Sequence, residues 1–208
     1  MWGAQPAQGP LAVPGNYQVR VTANGQTATQ PFHIAMDPRV KVAEAELQEQ
    51  FELAMKVRDR VTDANEAVIG VRRIREQVND RLEKAKYAER DSARKPMTTA
   101  LENLKGKLTV VEEAIYQVKN RSGQDPLNFP IKLNNKIAHL QGVIEGADAK
   151  PTDQTYAAFK ELSGELQTEL DKLKETVDRD VPTVNKLIAG KKLAPITTED
   201  ATKRKPSE

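Results

Sequence analysis

The chain has 208 residues, enough for one ordinary domain with an appendage and for a real buried core. With 38% hydrophobic and 30% charged residues and a mean hydropathy of -0.64, its composition is neither that of a disordered chain nor that of a membrane span. Its 32 basic and 30 acidic residues leave a net charge of +2, so charge gives no argument for nucleic acid or for an anionic membrane, and the absence of cysteine excludes disulfides, thiolate metal sites and thiol catalysis within it.

The N-terminal "MWGAQPAQGP" lacks the basic region and apolar run of a signal peptide. No stretch approaches the roughly 20 apolar residues of a transmembrane helix. An export signal, if the protein is exported, is expected upstream of this sequence.

The first element is a hairpin. Tyr17, Val19 and Val21 alternate with Gln18, Arg20 and Thr22, a period of two that gives a strand one apolar face. Asn24-Gly25 follows, a strong hairpin signal because both residue types tolerate positive φ. The second run carries Thr27, Thr29, Phe32 and Ile34, with Pro31 marking an edge or a bulge. Two strands alone are marginal in water, so Tyr17, Val19, Phe32 and Ile34 need a cover.

Asp37-Pro38 reads as an N-cap and first helical residue, with a helix expected from about Val40 to Ala88. Its seam runs through Leu47, Phe51, Ala54, Val57, Val61, Ala64, Val68, Val71, Ile74, Val78 and Leu82 in steps of three and four. Gly70 and Thr62 to Asn65 are the places where it could bend, and continuity is expected.

The second helix has the cleanest seam, Met97, Leu101, Leu104, Leu108, Val111, Ile115 and Val118, and Gly123 is the expected left-handed cap after it. A third carries Leu133, Ile137, Leu140 and Ile144 and stops near Gly146. A fourth is capped by Thr152, carries Tyr156, Phe159, Leu162, Leu166, Leu170, Leu173 and Val177, and is kinked or restarted by Pro182.

The expected fold is therefore mainly α, an antiparallel four-helix bundle or coiled coil with a short N-terminal β-hairpin. Residues 1–37 form the hairpin module, 38–190 the bundle, and 191–208 a polar, flexible tail.

Reactive constellations are sparse. His33 falls on a strand and His139 beside a helical seam, neither with a second ligand at metal spacing. Glu44, Glu46, Glu49 and Glu52, like Glu161, Glu165 and Glu169, recur at helical spacing among Lys and Arg, as on solvated faces. Ser92, Ser122 and Ser163 lack nucleophile-elbow glycines, and no glycine-rich phosphate loop is present. No catalytic residue, metal ligand or cofactor is assigned. The one sharper feature is "VRRIR": Arg72, Arg73 and Arg75 could grip an anion or an acidic partner, or form the polar side of the first helix against Glu66, Glu76 and Asp80.

The run "GPLAVPGNYQVRVTANGQTATQPFHIAMDPRV", continuing into "LQEQFELAMKVRDRVTDANEAVIGVRRIREQV", and the later "DPLNFPIKLNNKIAHLQGVIEGADAKPTDQ" resemble the C-terminal region of large bacterial secreted proteins. The bulk of those proteins is a sortilin-like, BNR-repeat β-propeller, and they are commonly catalogued as glycosyl hydrolases or exo-sialidase-like proteins. The resemblance covers nearly the whole chain.

It implies that residues 1–37 close an immunoglobulin-like sandwich whose other strands lie upstream, followed by a terminal helical domain. The implied function is a non-catalytic accessory or interaction module of an exported propeller protein, outside the cytoplasm. Its partner would be the upstream propeller or another protein, with self-association a further route and no nucleic acid. The alternative is a fragment of a secreted, sialidase-like glycosyl hydrolase whose site lies in the absent propeller. Trp2, Tyr116 or Tyr156 would then lend a sugar-stacking wall, although the two tyrosines sit on or beside apolar seams, where core packing accounts for them.

Overall fold

The computed structural model describes residues 8–86, 95–191 and 193–198. The expectations for Trp2, for Ser92, for a helix end at Ala88 and for the last part of the tail fall outside these residues.

Strands β1 (Gly15–Ala23) and β2 (Gln26–Ile34) form an antiparallel hairpin in unbroken one-to-one register, Gly15 opposite Ile34 and Ala23 opposite Gln26. Asn24 at φ 51° and Gly25 at φ 76° make the tight two-residue turn whose twist suits the strands. The register settles Pro31. Bonded and non-bonded pairs alternate away from the turn, so Gln18 and Pro31 form a pair that exchanges no hydrogen bonds, and the proline nitrogen faces outward from β2. Pro31 thus marks an edge, with no bulge.

The same register divides the faces. Tyr17, Val19 and Val21 share one with Ala28, Phe32 and Ile34, whereas Thr27 and Thr29 lie on the other with Arg20. Tyr17 and Phe32 stack at 5.7 Å, and the Tyr17 hydroxyl donates to the Val13 carbonyl at 2.6 Å.

Asp37-Pro38 opens a turn in place of the expected helix. Asp37 accepts from the Arg39 amide at 2.9 Å and pairs with its guanidinium at 2.6 Å. Helix α1 (Glu44–Lys86) begins later, where the Ala43 amide donates to the Glu46 carboxylate at 3.2 Å, the return half of a capping box. It then runs unbroken through Thr62–Asn65 and Gly70.

Among the described residues three more helices and a short one follow: α2 (Lys95–Ile115), α3 (Leu133–Ile144), α4 (Asp153–Glu175) and α5 (Val181–Ala189). The 43 residues of α1 extend about 65 Å, against about 32 Å for α2 and about 18 Å for α3. The two shorter helices therefore tile the long one. Arg72 and Arg75 meet α2 at Glu112, Asn65 meets the start of α3 at Asn134, and Gln50 meets its end at Ile144.

The third column is α4, a π-helical turn at Thr176–Asp180, and α5, which touches α1 at Arg60 and Ser163 and α2 at Lys107 and Asp180. The bundle is mainly α as expected, with its helices arranged as three columns because α2 and α3 share one; that shared column runs against α1, and the α4–α5 column runs along it, Glu49 meeting Lys150, Arg60 meeting Ser163 and Gln77 meeting Thr197.

A helix lying against two columns must bury more than one narrow seam. On α1, Leu53 and Ala67 are buried beside the expected Val57, Ala64, Val68, Val71, Ile74 and Val78. The α2 seam is buried from Met97 to Ile115, but the helix ends there and Val118 lies outside it, partly exposed. Gly123 takes no positive φ. Instead, Gln117 turns inward and donates to the Pro130 carbonyl at 2.8 Å, closing the loop onto the start of α3.

Thr152 caps α4 as expected, accepting from the Thr155 amide at 3.2 Å. Pro182 sits in the first turn of α5, and the wider π turn before it carries the chain past the missing amide without a break.

Asp125 organises the loop before α3. It accepts from the amides of Arg121 and Ser122 at 2.5 and 2.8 Å and from the Ser122 hydroxyl at 2.7 Å. The Arg121 amide first, then the Ser122 hydroxyl and amide, hold its carboxyl below the usual aspartate range. A lowered folded-state value contributes stability above the unfolded value that is lost as pH falls through the folded one. Protection of the Arg121 and Ser122 amides against exchange is therefore expected at neutral pH, to fade in acid below the ordinary aspartate range, and to be weakened at neutral pH by Asp125→Asn. Protection unchanged in that variant would remove Asp125 as the organiser.

Candidate functional site

Arg72 and Arg75 project from α1 one turn apart, and the group they hold is this chain's own Glu112. Arg72 Nε donates to Glu112 Oε1 at 2.6 Å, and Arg75 Nη1 donates to Oε2. Glu112 is 1% exposed. The Arg72 guanidinium also lies 4.9 Å above the ring of Tyr116, the residue that follows α2, which strengthens its seating there. Arg73, between them in sequence, is exposed. The expected triad is thus two arginines in an interhelical clasp and a third beside it.

Physical chemistry explains the clasp. A carboxylate among Leu108, Val111 and Ile115 would be costly without partners, and two arginines satisfy both of its oxygens. The position was visible in the sequence: Glu112 lies four residues after Leu108, inside the apolar stripe of α2.

The histidines stand apart. His139 is exposed on α3, and His33 is exposed on β2 with Nδ1 2.9 Å from Asn16 Oδ1. Among the described residues no three His, Cys, Asp or Glu side chains stand together as a metal-binding group. A cleft of about 490 Å³ opens where Pro130 to Lys136 face Glu165 and Glu169 of α4. Glu169 already pairs with Lys172 at 2.7 Å. Tyr116 and Tyr156 pack partly buried against the core, which is the packing role expected of them.

Two further surfaces came out of the structure. One is the hairpin, with Val19 47%, Val21 59% and Phe32 46% exposed. The lead-in to the hairpin touches the bundle, the Leu11 amide donating to Glu145 at 2.8 Å. The other is a segment read as flexible tail, residues 193–198, which is seated on α1 and α5 with Ile196 buried. No described helix is long and apolar enough to cross a membrane. Neither a family model, nor a curated protein, nor a solved structure matches the chain.

Proposed function

We propose that this chain is a non-catalytic accessory module of a larger exported β-propeller protein, in which the hairpin completes a β-sandwich and the helices form a rigid terminal rod. The observation that supports this reading is the uncovered apolar face of β1 and β2. A face carrying Tyr17, Val19, Val21 and Phe32 is built to be covered, and the helices bury their own seams against one another.

The two edges of the hairpin differ in a way that favours a particular neighbour. The outer edge of β2 is interrupted by Pro31, a device that prevents strand addition. The outer edge of β1 presents the amides and carbonyls of Asn16, Gln18, Arg20 and Thr22 without interruption, and Arg20 is its only charge. A further strand is accepted beside β1 and refused beside β2, as suits the last hairpin of a sheet.

Immunoblotting of native cells with an antibody to the bundle tests the proposal by size and compartment together. A species much larger than 23.1 kDa in the envelope or the medium is expected. A species of 23.1 kDa confined to the cytoplasm would overturn it.

A further inference from the structure

Residues 193–198 lie in neither helix nor strand, yet the main chain of 194–197 is bonded residue by residue. Arg81 of α1 donates through Nε to the Ala194 carbonyl at 3.0 Å and through Nη2 to the Pro195 carbonyl at 3.1 Å. Asn185 of α5 accepts from the Ile196 amide at 2.8 Å and donates to the Ile196 carbonyl at 2.9 Å. Gln77 of α1 accepts from the Thr197 amide at 2.9 Å and donates to the Thr197 carbonyl at 3.0 Å.

A carboxamide that takes both the amide and the carbonyl of one residue imitates a neighbouring strand. Two of them doing so to consecutive residues from opposite sides require a locally extended backbone, because successive residues of a strand point their bonding groups to opposite edges. Pro195 sits where no amide is called upon. The side-chain anchors are Leu193, partly buried, and Ile196, 3% exposed in the common core.

This is the pattern of peptide recognition: main-chain bonds for affinity and a pocket for an apolar anchor. From this arrangement, and independently of the hairpin, we infer that the groove between α1 and α5 is a binding site for an extended peptide of the form aliphatic-x-Pro-aliphatic, and that residues 193–198 are its resident, displaceable occupant. A partner protein offering such a segment would compete with the strap for Gln77, Arg81 and Asn185. Tethered a few residues from α5, the strap faces the groove at an effective concentration on the order of millimolar, so entry from outside is held back until the strap is released.

The test uses the full chain with Ile196→Asp, which removes the buried anchor, and a fluorescent peptide Leu-Ala-Pro-Ile-Thr-Thr. The peptide is expected to bind this variant at least roughly tenfold tighter than the unaltered chain. Adding Asn185→Ala is expected to weaken that binding roughly tenfold, through two lost hydrogen bonds. No binding to the variant up to millimolar peptide, or equal binding with and without Asn185→Ala, would overturn the inference.

If Ile196→Asp prevents folding, the unaltered chain decides. Several millimolar peptide should speed exchange of the Ile196 and Thr197 amides several-fold, by capturing the groove whenever the strap opens. Unchanged exchange would make the strap a fixed part of the fold.

Discussion

Truncating Leu108 to alanine is expected to lower the free energy of unfolding by about 3–5 kcal/mol, with Leu104→Ala in the same range. Both side chains are sealed, at 0% and 1% exposure. They lie mid-way along α2, between the long spine of α1 and the column of α4 and α5. Such a site collapses poorly, so most of the deleted volume remains as a cavity. Val110→Ala on the same helix, at 63% exposure, should change stability by no more than about 0.5 kcal/mol. Urea unfolding compares them directly: the leucine variants should shift the midpoint strongly while the slope stays constant. Leucine and valine variants of similar stability would mean that α2 does not occupy the centre of the bundle.

The second large effect is an asymmetry within the clasp. Replacing Arg72 and Arg75 together by alanine leaves the Glu112 carboxylate buried without a cation, at an expected cost of about 3–5 kcal/mol. Replacing Glu112 by leucine should cost much less. The Arg72 side chain is 48% exposed and that of Arg75 26%, so both guanidinium groups can turn to water, and leucine suits the apolar stripe in which residue 112 lies. The triple variant Arg72→Ala, Arg75→Ala and Glu112→Leu should recover most of what the double arginine variant loses, a strongly non-additive result. Additive losses would mean that the three groups act separately, and the clasp would have no energetic meaning. If an external anion were the true partner of Arg72 and Arg75, their removal would leave thermal stability nearly unchanged.

How much of this was legible in the sequence depended on how local the cause is. The turn at Asn24-Gly25, the cap at Thr152 and the α2 seam from Met97 to Ile115 each follow from neighbours within a few residues, and each is where it was expected. The continuity of α1 through Gly70 was legible too, since apolar residues keep their spacing on both sides of it. Misplaced boundaries had local rivals. Asp37 spends its carboxylate on Arg39, so the helix waits until Glu44, and Gln117 turns inward to Pro130 and ends α2 before Val118 can join the seam.

What periodicity could not supply was the width of a buried face or the identity of a distant partner. Leu53 and Ala67 are buried because α1 meets two columns, α2 with α3 on one side and α4 on the other. "VRRIR" could be singled out as a basic cluster, but the partner of Arg72 and Arg75 lies about 40 residues away, beyond the reach of any local pattern. The strap at 193–198 has no period at all. Its anchors are carboxamides on α1 and α5, and polar sequence without rhythm reads as tail whether or not something holds it.

In the proposed module the bundle is closed on itself while the hairpin awaits strands from elsewhere. Amide hydrogen exchange on the 208-residue chain tests it in one experiment. The amides of Leu101 to Ile115 should exchange only through global unfolding, while Asn16, Gln18, Arg20 and Thr22, on the open edge of β1, should exchange almost as fast as an unstructured chain. Protection of those four amides to the level of the helices would contradict the account, because it would mean that the edge of β1 is already paired within the chain or by a second copy of it.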